Sequence, residues 1–376
     1  MIEVDEKVLN TYVEKAKSGS LNGLKQLLAI FRSACIPSGD MNDNRRTSQF
    51  NVNSPEVYEL TMTKTIETVY VSMHKILNIS SNQSGGGGLS AAAISHLSHN
   101  PKWKKVEVLV LSFFKSLLHT IASLADNQAT SQQAQVLTYL ISSMENYIPL
   151  LGSMHRLTNT VIKVLIGIWS IDRSNSEKSK ETKEEENTSD TRGHAFLRIR
   201  QIAILLPGAI TEDCFRSVYL AFTRHCKSYN DTTSSSVNFM IACIIELYKV
   251  DVQLAYQLGF IYVRQLGLYL RTAFNKKTTE SVKQLISWQY INCLRAWASI
   301  VSAIPLTNDK GLGELAFPLI QIMLGVLSVA PSNVNIPTKL HLIGFMQQIS
   351  ANCKVFVPTT PKLVEILECP ELSSKP

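Results

Sequence analysis

Hydrophobic residues recur along the chain mainly with the spacing of an α-helix. Apolar side chains stand at i, i+3, i+4 and i+7 over 106–124, and similar stripes follow over 136–144 and 157–168. The segment 57–77 begins with many β-branched residues but settles into the same spacing from Ile66. No alternating strand followed by a hairpin turn appears. The pattern therefore predicts an all-α fold.

Prolines punctuate this pattern. Helical segments of roughly 15–25 residues joined by short turns are typical of helical-hairpin repeats. No motif recurs at a strict period, which is also usual for divergent repeats. The sequence therefore predicts an all-α, HEAT/armadillo-like helical-repeat solenoid. The prolines that fall between periodic segments are Pro149, Pro207, Pro305, Pro331 and Pro358.

One stretch in the carboxyl-terminal half predicts a long helix with neighbours on several sides. The segment 281–304 has a wide apolar face, and Trp288 and Tyr290 fall outside that face. A helix that is apolar on more than one face is covered from more than one direction, as in a stacked array.

Three segments interrupt the periodic pattern and define the domain organisation. Residues 36–54 and the Gly/Ser-rich residues 78–90 are predicted flexible loops. Residues 172–192 hold seven acidic and five basic residues without apolar anchors, which predicts a disordered charged insertion. This insertion separates amino-terminal helical repeats, 1–171, from carboxyl-terminal helical repeats, 193–376.

Composition supports a folded protein in a reducing compartment. The 376 residues are 45% hydrophobic and 18% charged, which excludes a mainly disordered chain. The net charge of +7 permits contact with RNA or an acidic partner without demanding it. The seven cysteines include no CxxC pair, so buried free thiols are expected.

A membrane span is not expected, although one stretch is uncharged over the length of a span. Residues 315–338 carry no charge and are long enough to cross a bilayer. Pro318, Pro331 and Pro337 interrupt that stretch, and its continuous apolar part has the length of a buried core helix.

Catalytic motifs are absent from the sequence. It contains no GxSxG, no GxxxxGK[ST], no HExxH and no GxGxxG. We therefore predict that the chain is not an enzyme. We expect no catalytic residue, no metal or cofactor and no small-molecule substrate.

Two basic clusters are candidates for RNA contact. In the first, three lysines flank a tryptophan just before a helix. The lysines could contact RNA phosphates, and the tryptophan ring could stack on a base. The alternative is a helix start whose tryptophan packs inward and whose lysines are solvated. The second cluster is a pair of arginines in a loop. The candidate residues are Lys102, Trp103, Lys104, Lys105, Arg45 and Arg46.

Several segments, taken in order, resemble the nucleolar complex protein 2 family. They extend over nearly the whole chain, and their specificity lies in the order of the blocks and not in any single motif. The segments are 24–35 (LKQLLAIFRSAC), 194–207 (HAFLRIRQIAILLP), 214–227 (CFRSVYLAFTRHCK), 287–302 (SWQYINCLRAWASIVS), 316–331 (AFPLIQIMLGVLSVAP) and 336–367, which begins IPTKLHLIGF.

The resemblance implies a function in ribosome assembly. Members of that family are helical-repeat scaffolds of nucleolus and nucleoplasm, which pair with nucleolar complex proteins 1 and 3. The chain is thus expected to be a non-catalytic scaffold in biogenesis and nuclear transport of the large ribosomal subunit. It would act as a heterodimer on pre-ribosomal particles, with direct contact to rRNA left open. A helical-repeat transport or coat adaptor unrelated to ribosomes is the alternative, because fold alone does not set function.

Three polar residues stand at positions that match the family within apolar surroundings. They are Gln289, Arg295 and Gln321. Each is expected either to form hydrogen bonds inside the array or to be displayed at a partner interface.

Overall fold

Helices make up nearly all the regular structure in the part of the chain that the computed structural model describes. The one exception there is a parallel pairing of two short segments, in which Ile2 lies opposite Phe50 and Glu3 opposite Asn51. The prediction of an all-helical protein is therefore confirmed. The described residues are 2–35, 50–51, 54–77, 101–126, 131–171, 182–304, 311–329 and 336–368.

The chain divides into two compact units. Unit 1 comprises residues 1–171 and 179–211, and unit 2 comprises residues 172–178 and 212–376. The predicted loop 78–90 lies outside the described residues, as does the loop 36–54 apart from 50, 51 and 54.

Unit 1 holds seven α-helices in its described residues and the first residues of an eighth. Some neighbours in sequence pack together, namely α1 on α2, α2 on α3, α4 on α5 and α6 on α7. Helices two apart in sequence also pack together, namely α1 on α3, α2 on α4, α4 on α6 and α5 on α7. The helices are α1 (Glu6–Lys17), α2 (Leu21–Cys35), α3 (Pro55–Leu77), α4 (Trp103–Asp126), α5 (Ser131–Ser143), a 3₁₀ helix (Met144–Ser153), α6 (His155–Ser170), α7 (Thr182–Leu205) and α8 (Ala209–His225), which continues into unit 2.

An aromatic cluster forms the core of unit 1. Phe113 of α4 contacts Phe31 of α2 and Tyr147 of the 3₁₀ helix, with ring centroids 5.4 and 5.0 Å apart. The Tyr147 hydroxyl donates to the carbonyl of Ile66, so this buried polar group is satisfied. Gly23 lets α1 and α2 cross closely, since a Cβ there would lie 2.9 Å from the carbonyl carbon of Lys15.

The charged segment is helical in its second half, where the sequence predicted disorder. Residues 172–181 lie outside the described residues, but α7 begins at Thr182 and runs without interruption into the apolar part of the chain. The reason is local: the polar residues extend a helix that is nucleated by the buried Ala195, Ile199 and Ile202.

One described helix, α4, is long and apolar enough to cross a membrane by length and composition alone. In unit 1 its side chains Val106, Val110 and Phe113 are almost completely buried against other helices. This packing is that of a core helix. The uncharged stretch 315–338 contributes a helix of only 14 residues, Ala316–Val329, which is too short to span a bilayer.

Unit 2 holds the rest of α8 and, among its described residues, seven further α-helices. In unit 2, α9 packs on α12, α10 on α13, and α12 on α14. The helices are α9 (Asp231–Tyr248), α10 (Val252–Lys276), α11 (Thr279–Ile286), α12 (Trp288–Ala303), α13 (Ala316–Val329), α14 (Ile336–Cys353) and α15 (Thr360–Leu367), with a 3₁₀ turn at Gly313–Leu315.

The segment predicted as one helix over 281–304 is two helices. Ser287 separates α11 from α12 with an extended backbone (ψ 141°), and its hydroxyl accepts a hydrogen bond from the backbone N–H of Tyr290. The serine therefore ends one helix and caps the next. Trp288 and Tyr290 fell outside the apolar stripe because the phase of the helix restarts at this break.

Trp297 lies at the centre of unit 2. Its ring contacts Tyr219, Tyr248 and Tyr262 at centroid distances of 5.5, 6.0 and 6.3 Å. Its indole Nε1 donates to the Tyr219 hydroxyl at 2.9 Å, so both buried polar groups are satisfied. Gly259 allows α10 to approach this cluster, because a Cβ there would lie 2.9 Å from the Trp297 ring.

Candidate protein interface

Gln289 and its neighbour Asn292 satisfy backbone carbonyls at the end of α8. The Gln289 side-chain amide donates to the carbonyl of Thr223 at 2.7 Å, and that of Asn292 donates to the carbonyl of Cys226 at 3.0 Å. The last carbonyls of a helix have no partner within the helix. Gln289 was expected either to form hydrogen bonds inside the array or to be displayed at an interface. In the structure its side chain forms a hydrogen bond inside unit 2.

Arg295 is held in place within unit 2 and is only half-buried. Its guanidinium donates to the Asn238 side-chain oxygen at 2.6 Å and lies over the Tyr229 ring, 5.0 Å from the ring centroid. Burial lowers the pKa of the nearby His341, and the positive charge of Arg295 lowers it further. Arg295 thus has internal partners, while part of it is still accessible to solvent.

Gln321 differs from the other two residues, because it is exposed on α13. Of the three polar residues that the sequence singled out, it is the one that is exposed.

The lysine cluster is only partly available for RNA. Lys102, Lys104 and Lys105 are exposed, whereas Trp103 is only 4% exposed. Of the two interpretations of Trp103, the structure therefore has the inward-packed one: the residue begins α4, and its indole packs into the core of unit 1. The second pair, Arg45 and Arg46, lies outside the described residues.

Several exposed apolar side chains cluster on the long helix α10. Phe260 is 53% exposed, Ile261 56% and Leu268 43%. Their spacing places them on one side of the helix, with the exposed Arg264 and Arg271 between them. We call these five residues the outer face of α10. Clusters of exposed apolar residues of this kind mark interaction sites.

The charge on α10 is of one sign. The 25 residues Val252–Lys276 include no aspartate or glutamate, and the helix carries Arg264, Arg271 and Lys276. The inner face is fully engaged, since Ala255, Leu258 and Val263 among others are buried. The hydrophobic pattern alone did not indicate this surface, although a 25-residue helix with basic residues and no acidic residue is a sequence signal for it.

The described residues provide little that suggests catalysis. Within them, no three His, Cys, Asp or Glu side chains are placed to hold a metal ion. Burial raises the pKa of the Cys35 and Cys214 thiols to about 12. Thiols with such pKa values stay protonated at neutral pH and are poor nucleophiles.

Fold and surface together define an all-helical protein with an exposed apolar and basic helix face. Residues 209–376, which contain that face, match the family model described as the Noc2p family. The resemblance to the nucleolar complex protein 2 family that the sequence predicted is thereby confirmed.

Relatives from several eukaryotes agree with this match. A protein of Arabidopsis thaliana named "Nucleolar complex-associated protein 2" is 26% identical over 356 residues, which is 95% of this chain and 43% of the relative. "Nucleolar complex protein 2" of Drosophila melanogaster is 26% identical over 72% of this chain and 32% of its own length. An uncharacterized NOC2 family protein of Schizosaccharomyces pombe is 26% identical over 72% of this chain and 36% of its own. The chain thus spans 32–43% of the length of these relatives.

Proposed function

We propose that the chain is a non-catalytic scaffold in biogenesis and nuclear transport of the large ribosomal subunit. It acts in nucleolus and nucleoplasm as a heterodimer with nucleolar complex protein 1 or 3 on pre-ribosomal particles. The names of the relatives support the nucleolar setting. The observation that carries the proposal is the outer face of α10, which lies within the region matched to the Noc2p family.

A helical-repeat array is the architecture that we propose for each unit. Packing between helices two apart in sequence, as in α2 with α4 or α5 with α7, is what stacked helical hairpins produce. The pairing of α12 with α14 in unit 2 follows the same spacing. Such arrays offer long helix faces to a partner.

The chemistry of the outer face of α10 indicates what covers it. Its apolar residues suit the apolar stripe of an amphipathic helix, and its two arginines suit acidic residues that flank that stripe. The partner segment is therefore an acidic amphipathic helix of the other nucleolar complex protein.

Light scattering after size exclusion tests the heterodimer. The chain mixed with the matching nucleolar complex protein 1 or, separately, nucleolar complex protein 3 is expected to form a one-to-one complex with at least one of them. The double variant Phe260→Ala, Ile261→Ala is expected to weaken the complex by tenfold or more, since buried apolar anchors carry much of the binding energy of an interface (about 1–2 kcal/mol or more each).

The matched control is Phe356→Ala, which removes another exposed ring, 87% accessible, from unit 2. It should leave the complex unchanged. Failure to form a complex with either protein would overturn the heterodimer. Equal loss in both variants would show that the outer face of α10 is not the specific site.

Direct contact with rRNA is assigned to the exposed lysines in the first turn of α4. The double variant Lys104→Glu, Lys105→Glu should weaken binding to single-stranded RNA and lower its salt slope by about 1.4, because each neutralised phosphate contributes about 0.7. Acidic residues in the first turn of α4 also suit the helix dipole, so the variant should fold as well as the original chain. An unchanged salt slope would exclude these lysines as phosphate contacts.

A further inference from the structure

A pocket in unit 1 has the chemistry of a binding site that the proposed function does not use. It has a volume of about 300 Å³, near the lower end of the range for ligand pockets (about 300–1,000 Å³). The space suits one side chain better than a large ligand. Its walls come from α3, α5 and the 3₁₀ helix, and they are formed by Ile66, Glu67, Tyr70, Tyr139, Ser143, Asn146 and Tyr147.

Three tyrosine rings give the pocket its aromatic walls. The rings of Tyr70 and Tyr147 stand nearly perpendicular, at 80° with centroids 6.0 Å apart. Tyr147 is buried, and its hydroxyl bond to the Ile66 carbonyl fixes the ring. Tyr139 is 41% exposed and forms the outer wall. Faces of tyrosine rings attract cations.

The pocket carries a negative charge that no described cation neutralises through an ion pair. Glu67 is exposed, and the ion pairs among the described residues do not include it. The two lysines of α3 are engaged elsewhere: Lys64 donates to the Asn10 side chain at 2.7 Å, and Lys75 donates to the carbonyl of Lys17 at 2.9 Å.

Burial and the charge of Glu67 together raise the pKa of two tyrosines of the pocket. Burial raises the pKa of Tyr139, and the carboxylate of Glu67 raises it further. Burial also raises the pKa of Tyr147, with an added contribution from Glu67. The ring walls and the carboxylate therefore share one electronegative space.

The polar atoms of the pocket distinguish between cations. Glu67 offers two acceptor oxygens, Asn146 offers its side-chain oxygen, and Ser143 accepts through its hydroxyl while donating to the carbonyl of Leu140. A quaternary ammonium has no N–H groups for these acceptors. A guanidinium has five, is planar and stacks on aromatic rings.

From this geometry we infer that the pocket binds an arginine side chain of a partner protein. The carboxylate of Glu67 accepts two hydrogen bonds from the guanidinium in a bidentate ion pair, and the rings of Tyr139 and Tyr70 pack against the plane of the guanidinium. The inference goes beyond the proposed function, because the pocket lies in unit 1, away in sequence from the outer face of α10. It shares with that function only the need for a protein partner.

The test uses a blocked Gly-Arg-Gly peptide as probe, so that its outcome is independent of any nucleolar complex protein. Binding to the full chain is followed through the NMR signals of isotope-labelled tyrosine rings. The arginine peptide should shift these signals saturably. The same peptide with citrulline, which keeps the shape but has no charge, should leave them unchanged, and the lysine peptide should bind more weakly.

Two variants locate the binding. Glu67→Gln should weaken binding of the arginine peptide by tenfold or more, because it removes the negative charge that makes these hydrogen bonds to the guanidinium strong. Tyr139→Ala, at a partly exposed position, should weaken it as well. Glu59→Gln is the matched control, since Glu59 is exposed on the same helix outside the pocket, and it should bind as the original chain does. An equal response to the citrulline peptide, an unaffected Glu67→Gln variant or no response at all would each overturn the inference.

Discussion

Replacing Trp297 with alanine is expected to lower the free energy of unfolding by about 3–5 kcal/mol. The change removes the largest side chain from the centre of unit 2 and leaves a cavity among Tyr219, Tyr248 and Tyr262. It also removes the donor that the Tyr219 hydroxyl accepts from, so a buried polar group loses its partner. Urea denaturation followed by circular dichroism measures the loss.

The control for this prediction is Phe260→Ala. Phe260 is 53% exposed on the outer face of α10, so its removal should change the free energy of unfolding by no more than about 0.5 kcal/mol. A loss below about 1 kcal/mol for Trp297→Ala would mean that the aromatic cluster does not hold unit 2 together.

Replacing Asn292 with leucine is expected to lower the free energy of unfolding by about 1–3 kcal/mol, although leucine keeps the number and branching of the side-chain heavy atoms. Asn292 is 1% exposed, and its amide is the donor to the Cys226 carbonyl just beyond the end of α8. Leucine leaves that carbonyl buried without this donor. The same denaturation experiment measures the difference.

Gln321→Leu is the matched amide-to-leucine control, because Gln321 is exposed on α13. Its effect on the free energy of unfolding should stay within about 0.5 kcal/mol. If both substitutions behave alike, the hydrogen bond from Asn292 contributes nothing to the stability of unit 2.

The helical fold was predictable because periodicity is a local property. The stripe over 106–124 became α4 without change, and Pro207 and Pro358 do separate helices. The break at Ser287 was also encoded, since Trp288 and Tyr290 departed from the stripe of the predicted helix. The single-helix interpretation treated that departure as extra neighbours, whereas a serine before an aromatic residue can equally cap a new helix.

The partners of polar residues were not predictable from local pattern. Gln289 and Asn292 each bind a carbonyl 66 residues earlier in the chain, and no spacing rule links such positions. Trp103 shows the same limit, because the lysines around it suggested a surface while the packing of α4 placed its ring inside. The pocket around Glu67 joins α3 to residues some 70 positions later, which only the tertiary structure brings together.

The two sides of α10 have unequal freedom, and this affects the kinetics of recognition. Gly259 brings the backbone of α10 against Trp297, and a Cβ at Gly325 of α13 would lie 2.5 Å from Leu270 of α10. The inner side of the helix is thus closely packed against its neighbours, while its outer face is exposed to solvent. A closely packed backbone is already ordered before binding. Binding of a partner therefore costs little conformational entropy beyond the loss of rotamer freedom at Phe260, Ile261 and Leu268. Recognition of a partner helix then requires no folding of α10. Differences in affinity lie in the dissociation rate, which is set by the contacts of these three side chains.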